Sequence, residues 1–470
     1  MPSRMSTEQD PLLAQDHVPP NHDQENDISH QSDDELSICH TPLVAFFSTF
    51  GMNVVAASSV FVFARILCKD PSSCSSEERQ AFSGTLTNAT IIANVCAILV
   101  IQPLNSVSKK RSKVVLLFWL VCRSSAIGLL WVAARSKSIG IVLLSKVLEG
   151  TATDNILQFA LSTIYARSND PRQFSTLMSE SMAFSLLGSS LGPVTAGLCN
   201  SFSIRILISI CAMSCAVFYV GFLTTMSHGI RKPKSHPIDT ESFPNTVASW
   251  PILTMLRGLW DSTFSHLSIV HKEPIFLVPS LSLMVYTMGQ AYVLPALMVY
   301  TSGRYGFTDR QNSWLLSLAT AVSASFVFAI RLVQRKLRND AAHVRLNIIV
   351  AVMGISALMI SLPFIAYTQT AWQIYLVVVM MSLGFSSSSF IKTYALCQLQ
   401  HPKDGAAALA IFETVGSFLS PLTLGFAQTH WPEGKWTIVS SAMSAAAIIM
   451  LCAVQMREMS IRGNYIPPRN

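Results

Sequence analysis

Twelve apolar runs, each long enough to cross a bilayer, constrain this chain more than any other feature. A transmembrane helix needs about 20 apolar residues. Such runs fall near 42–66, 84–104, 114–134, 139–165, 174–197 and 203–227, then near 274–300, 312–332, 346–367, 372–396, 405–429 and 436–456. They are numbered here as spans 1 to 12. A backbone in lipid must satisfy its own hydrogen bonds, and a helix does so within one segment. The reading is an all-α polytopic membrane protein with twelve transmembrane helices in two six-helix halves, 41–228 and 274–456. A disordered tail (1–40), a central loop (229–273) and a short tail (457–470) complete the chain.

Composition supports this. Only 13% of residues are charged and half are hydrophobic, with a mean hydropathy of +0.43, whereas soluble domains carry about 25% charged residues. The net charge is +7. Nucleic acid binding is excluded, because the basic residues sit in short stretches between apolar runs, as in cytoplasmic loops of membrane proteins. Lys109, Lys110, Arg111 and Lys113 follow span 2; Arg167 and Arg172 follow span 4; Arg231, Lys232 and Lys234 open the central loop; Arg331, Arg335, Lys336, Arg338 and Arg345 surround the link after span 8. All fall on one side if both termini are cytoplasmic. The opposite loops carry fewer basic residues.

The N-terminal tail is polar and acidic and has no cleaved-signal pattern. Its Glu8, Leu12 and Leu13 fit an acidic dileucine sorting signal. Such a signal favours a vacuolar or endosomal membrane, whereas export favours the plasma membrane, which is the expected location. Cys68 and Cys74 share the first outside loop, where either a disulfide or two free thiols fits. Residues 250–260 form a short apolar stretch, either an interfacial helix or a connector. The sequon at Asn88 lies inside span 2, too close to the membrane for use.

The two halves echo each other. Gly192-Pro193-Val194-Thr195-Ala196-Gly197 ends span 5, and Ser420-Pro421-Leu422-Thr423-Leu424-Gly425 occupies the matching place in span 11. Repeated halves of this kind place a central path between them. Gly188, Gly192, Pro193 and Gly197 form a packing motif, since small residues four apart let helices approach closely. This motif resembles the helix 5 antiporter motif of the major facilitator superfamily, with Ala196 replacing one glycine. Lys146-x-x-Glu149-Gly150 in span 4 is similar to that family's Arg-x-x-Gln-Gly. The stretch 104–113 keeps the basic character of the family's loop after helix 2, with Ser108 at its Asp position. Cys68-Lys69, Gly384-Phe385-Ser386-Ser387 and Phe412-Glu413-Thr414-Val415-Gly416-Ser417 with Pro421 resemble a fungal group of these transporters, distantly similar to proton-coupled folate transporters. The resemblance implies a secondary transporter, with fungal members often exporting secondary metabolites.

Charges inside the membrane need a reason, since each costs about 2.5–3.5 kcal/mol by insertion scales. The candidates for proton coupling or the substrate path are Arg123, Lys146, Glu149, Asp154, Glu180 and Glu413. Lys146 and Glu149, three apart, can pair on one helical face; the pair either orients span 4 or releases Lys146 when Glu149 takes a proton. Asp154 is about 80° around a continuous helix from Lys146, with Arg123 as candidate partner. It is either a brace or a titrating carboxylate. Lys392 is expected to snorkel to the cytoplasmic surface. Asn53, Asn94, Tyr286, Gln290 and Tyr292 are candidate cavity residues, or interhelical hydrogen-bonding groups.

The leading expectation is proton-coupled export of a small, partly apolar organic molecule by a monomer. The alternatives are a proton-coupled importer and a transporter-like sensor. No nucleophile–base constellation, phosphate loop or metal cluster appears in the sequence, so neither an enzyme nor a cofactor is expected.

Overall fold

The computed structural model describes residues 41–69, 74–165, 171–228, 274–336, 340–399, 402–431 and 434–463. The dileucine of the first tail and the stretch 250–260 lie outside them. The described elements are helices linked by short turns. Ten stretches among the described residues are long and apolar enough to cross a membrane. Spans 4 and 5 complete the twelve. Span 4 is broken into Ile139–Thr151 and Asp154–Tyr165 and carries Lys146, Glu149 and Asp154. Span 5, Pro171–Leu198, is more polar, with Glu180 and several serines.

Spans 2 and 3 belong to one helical stretch, Ser76–Ser136, of 61 residues. Drawn straight it would run about 90 Å at 1.5 Å per residue. Leu86 and Leu130 nevertheless pack in one cluster with Val142, so the chain reverses between the two apolar runs, where Pro103 removes a backbone donor. Its first turn is capped by Ser75, whose hydroxyl accepts from the Glu78 amide while the Glu78 carboxylate accepts from the Ser75 amide at 3.0 Å. Cys68 and Cys74 are joined in a disulfide just before this cap.

Among the described residues spans 4, 7, 9 and 10 are interrupted, and in spans 4, 7 and 10 a side chain from another span reaches the break. In span 4 the break falls at Ala152, and the Trp119 indole of span 3 donates at 2.8 Å to the Thr153 carbonyl, which also accepts from the Ile156 and Leu157 amides as the helix restarts. Span 7 divides into Pro274–Gln290 and Val293–Tyr305; the Tyr292 amide donates to Ser420 Oγ of span 11 at 3.0 Å. Span 10 divides at Ser386 into Ala371–Phe385 and Ser387–Cys397, and the Tyr286 hydroxyl donates to the Gly384 carbonyl at 2.5 Å. Freed backbone groups need such partners where water is excluded. Span 12, Trp436–Gly463, continues past residue 456.

The repeat extends into the packing. Gly188 lies five residues before Pro193, and Gly416 five before Pro421. A Cβ at Gly188 would meet the Phe46 carbonyl and Thr49 Oγ1 of span 1; one at Gly416 would meet the Met284 carbonyl of span 7. Each half therefore docks its glycine-bearing span onto its own first span at the same register. Each half also has its own apolar core, one around Trp119, Ile156 and Met213, the other around Phe276, Leu358 and Trp436. Val121, Leu207, Phe218, Leu376 and Ile449 are exposed, as lipid-facing positions must be.

Forcing a side chain into the contact between spans 1 and 5 costs about 1–3 kcal/mol for overpacking. Gly188→Val therefore lowers the thermal unfolding temperature of the purified protein. Gly128→Ala, which adds its methyl group to open space, leaves it nearly unchanged.

Candidate functional site

The intramembrane charges gather at the centre of the bundle in two groups. In the N-terminal half, Lys146 Nζ lies 2.8 Å from Glu149 Oε2, one helical turn away on span 4. Arg123 of span 3 brings Nη1 to 3.4 Å from Glu149 Oε1. One carboxylate thus answers two cations. Arg123 Nε is buried without a hydrogen-bond partner. Ahead of this triad, Gly150 permits close approach to span 2, because a Cβ there would run into the Ala93 backbone.

Across the interface, Lys392 of span 10 pairs with Glu413 of span 11 at 2.6 Å and donates to Gln158 Oε1 of span 4 at 3.4 Å. Lys392 does not snorkel. It is 9% exposed and ends on a carboxylate, because the interior supplies a closer anion than the membrane surface does.

Asp154 is the first residue of the second half of span 4. It is exposed and lies within electrostatic reach of Arg123, Glu149 and Glu413. Among the described residues no ion pair or hydrogen bond ties its carboxylate. Arg123, expected beside Asp154, turns to Glu149 instead. Arg123 remains within electrostatic reach of Asp154 but gives its ion pair to Glu149.

A cavity of about 240 Å³ opens beside the triad. Arg123, Lys146, Glu149 and Asn53 line it, together with Met52, Val55 and Leu130 from the first half and Leu294, Pro295 and Met298 from span 7. Asn53 donates to the Thr49 carbonyl at 2.9 Å and to Ser189 Oγ at 3.2 Å. The other cavity candidates sit elsewhere. Asn94 donates to the Ser417 carbonyl of span 11 at 2.9 Å. Tyr292 shares a 3.0 Å hydrogen bond with Thr87 of span 2. Tyr286 is buried at the break of span 10, and Gln290 is half-buried at the end of the first part of span 7.

The two halves also meet on either side of this centre. On one side, Arg331 of span 8 pairs with Glu180 of span 5 at 2.5 Å, and Ile101, Phe159 and Ala410 form a small apolar cluster. On the other side, Arg205 of span 6 pairs with Asp309 of span 8 and donates to Ser58 of span 1 at 2.8 Å. Arg205 is 5% exposed and also donates to the Cys199 carbonyl through two nitrogens. Sequence reasoning missed this latch. The available signal was a basic residue, Arg205, just inside the start of an apolar span. No three His, Cys, Asp or Glu residues gather to hold a metal ion among the described residues.

The family model of the Major Facilitator Superfamily matches residues 43–424. The chain belongs to that superfamily. It is a multi-pass membrane transporter of that fold. Three solved transporters resemble it. The human organic anion transporter MFSD10 (TETRAN) is 12% identical with a TM-score of 0.62, over 89% of this chain and 99% of that one. A bacterial homologue of the iron transporter ferroportin, in an outward-facing state, is 15% identical with a TM-score of 0.58, over 91% and 99%. The nucleoside transporter NupG is 13% identical with a TM-score of 0.54, over 88% and 99%. At these identities the likeness shows the fold alone. Among curated proteins none matches the chain.

Removing one partner of a buried ion pair strands the other charge and costs about 3–5 kcal/mol. Lys392→Met and Glu413→Gln each destabilise the transporter in thermal unfolding, and the double variant loses less than the sum of the two. Additive losses would show that the pair contributes no coupling energy.

Proposed function

We propose that this protein is a proton-driven secondary transporter that exports a small, partly apolar organic molecule, with Asp154 as the group that takes the proton. The observation that carries the reading is the placement of Asp154. Among the described residues its carboxylate has no ion-pair partner; it stands at a helix break between the halves and is within electrostatic reach of charges from both. A charge held that way inside a membrane is costly, so its place needs a function. Uptake of a proton neutralises it and changes its attraction to Arg123 and its repulsion from Glu149 and Glu413. A ligand drives alternating access only through such differential interaction with two states.

Export is supported by the likeness of Gly188, Gly192, Pro193 and Gly197 to the superfamily's antiporter motif. The resemblance of the stretches around Gly384 and Glu413 to a fungal transporter group supports a secondary metabolite as cargo. The three structural neighbours are named as an organic anion transporter, a nucleoside transporter and a homologue of an iron transporter, so the fold does not choose the cargo and the cavity must.

A second reading, import by proton symport, is favoured by one contact. Glu149 occupies both cavity cations, so neutralising it would open the site to an incoming anion, and proton and cargo would bind together.

Vesicles with the purified full-length protein and a panel of metabolites test the proposal. An imposed pH gradient should drive accumulation in the wild type. Coupling free energies run about 1–3 kcal/mol, or about 5- to 150-fold, so Asp154→Asn should lose at least about fivefold of the gradient-driven component while retaining exchange between labelled and unlabelled substrate. Equal accumulation with and without a gradient, at zero membrane potential, overturns proton coupling. The sign of the gradient that drives uptake separates export from import.

A further inference from the structure

We propose that the cavity beside span 4 binds an organic monoanion, its carboxylate replacing Glu149 between Arg123 and Lys146 while its apolar body lies against span 7. The inference names the substrate class of the transporter proposed above and rests on that reading for its role in transport.

The lining carries two cations and one carboxylate. Among the lining side chains one positive charge is in excess with Glu149 in place, and two with Glu149 displaced. The donors are far from saturated. A guanidinium offers five N–H groups, yet Arg123 meets Glu149 through Nη1 at 3.4 Å, longer than the roughly 2.7–2.9 Å of a charge-assisted hydrogen bond. Its Nε is buried and unpartnered. Lys146 has three donors and spends one on Glu149. An anion entering here would find donors already oriented and desolvated.

The three side chains differ in a way that identifies the replaceable one. Arg123 and Lys146 are 11% and 10% exposed, whereas Glu149 is 29% exposed. The cations are packed into the wall, and the carboxylate is the member open to the cavity. Glu149 therefore acts as a stand-in for the ligand, satisfying the cations when the site is empty.

The rest of the lining fixes the remainder of the ligand. Met52, Val55, Leu294, Pro295, Met298 and Leu316 present apolar surface, and about 240 Å³ holds a one- or two-ring body rather than a long chain. A cationic ligand would face the excess positive charge without compensation.

The test uses 2-naphthoate, with its neutral isostere 2-naphthamide and the cation 2-naphthylmethylammonium, on the full-length protein in detergent. Binding is read as saturable thermal stabilisation. Naphthoate should stabilise the wild type at concentrations about tenfold below those of either analogue, and Glu149→Gln, which removes the competing carboxylate, should tighten naphthoate about tenfold while leaving naphthamide unchanged. Arg123→Gln should abolish the preference. Because Glu149→Gln is expected to gain affinity, loss of folding cannot imitate the result. The proposal is overturned if naphthamide or the ammonium binds as well as naphthoate, if Glu149→Gln leaves naphthoate binding unchanged or weaker, or if naphthoate stabilises neither protein. Naphthoate that binds as described but is not moved by a pH gradient sinks proton coupling and leaves the anion site standing. Gradient-driven transport confined to neutral or cationic compounds does the reverse.

Discussion

Inside a bilayer every backbone amide and carbonyl needs a partner from the protein, and the arrangement of this transporter follows from where that rule is strained. Spans 4, 7 and 10 are interrupted, and backbone groups at these breaks are reached by Trp119, Ser420 and Tyr286 from other spans. Each interruption puts chemistry at the interface between halves. Asp154 begins the second part of span 4, Tyr292 reaches Thr87 at the break of span 7, and Lys392 follows the break of span 10. The capping side chains thus hold the central charges in register.

Those charges are distributed unevenly. The C-terminal pair, Lys392 with Glu413, is matched and closed. The N-terminal triad has an extra cation, an unfilled donor and an adjoining cavity. One half therefore supplies a balanced wall and the other a polar socket, while the contacts between Arg331 and Glu180 and between Arg205 and Asp309 join the halves on either side. Both of these outlying pairs include span 8, so a movement of that span disturbs both ends together.

Much of the architecture was legible because membrane spans announce themselves by length and apolarity. The pairing of Lys146 with Glu149 was legible because it is local, fixed by three residues of helix. The matched positions of Pro193 and Pro421 were legible as a repeat, and the structure adds Gly188 and Gly416 at the same offset. The partner of Arg123 was not legible. Glu149 and Asp154 both lie within its electrostatic reach, and sequence spacing does not choose between them. The signal for the break at Ala152 was present in Gly150, Thr151 and Thr153 ahead of Asp154, a stop followed by a start, but it lay inside an apolar run that read as one crossing. Lys392 with Glu413 and Arg205 with Asp309 join distant spans, and no local spacing encodes them.

The disulfide between Cys68 and Cys74 closes a loop at the outer end of span 1. Thiols are oxidised in the secretory lumen and kept reduced in the cytosol, so the bond is a chemical record of sidedness. It marks the end of span 1 that crossed the membrane, whichever organelle the finished transporter occupies. It also ties maturation to the redox state of the compartment where the chain is inserted. A reductant added to intact cells meets this bond from outside at the cell surface, but in an internal organelle it must first cross a membrane, so the bond's accessibility reports where the protein resides.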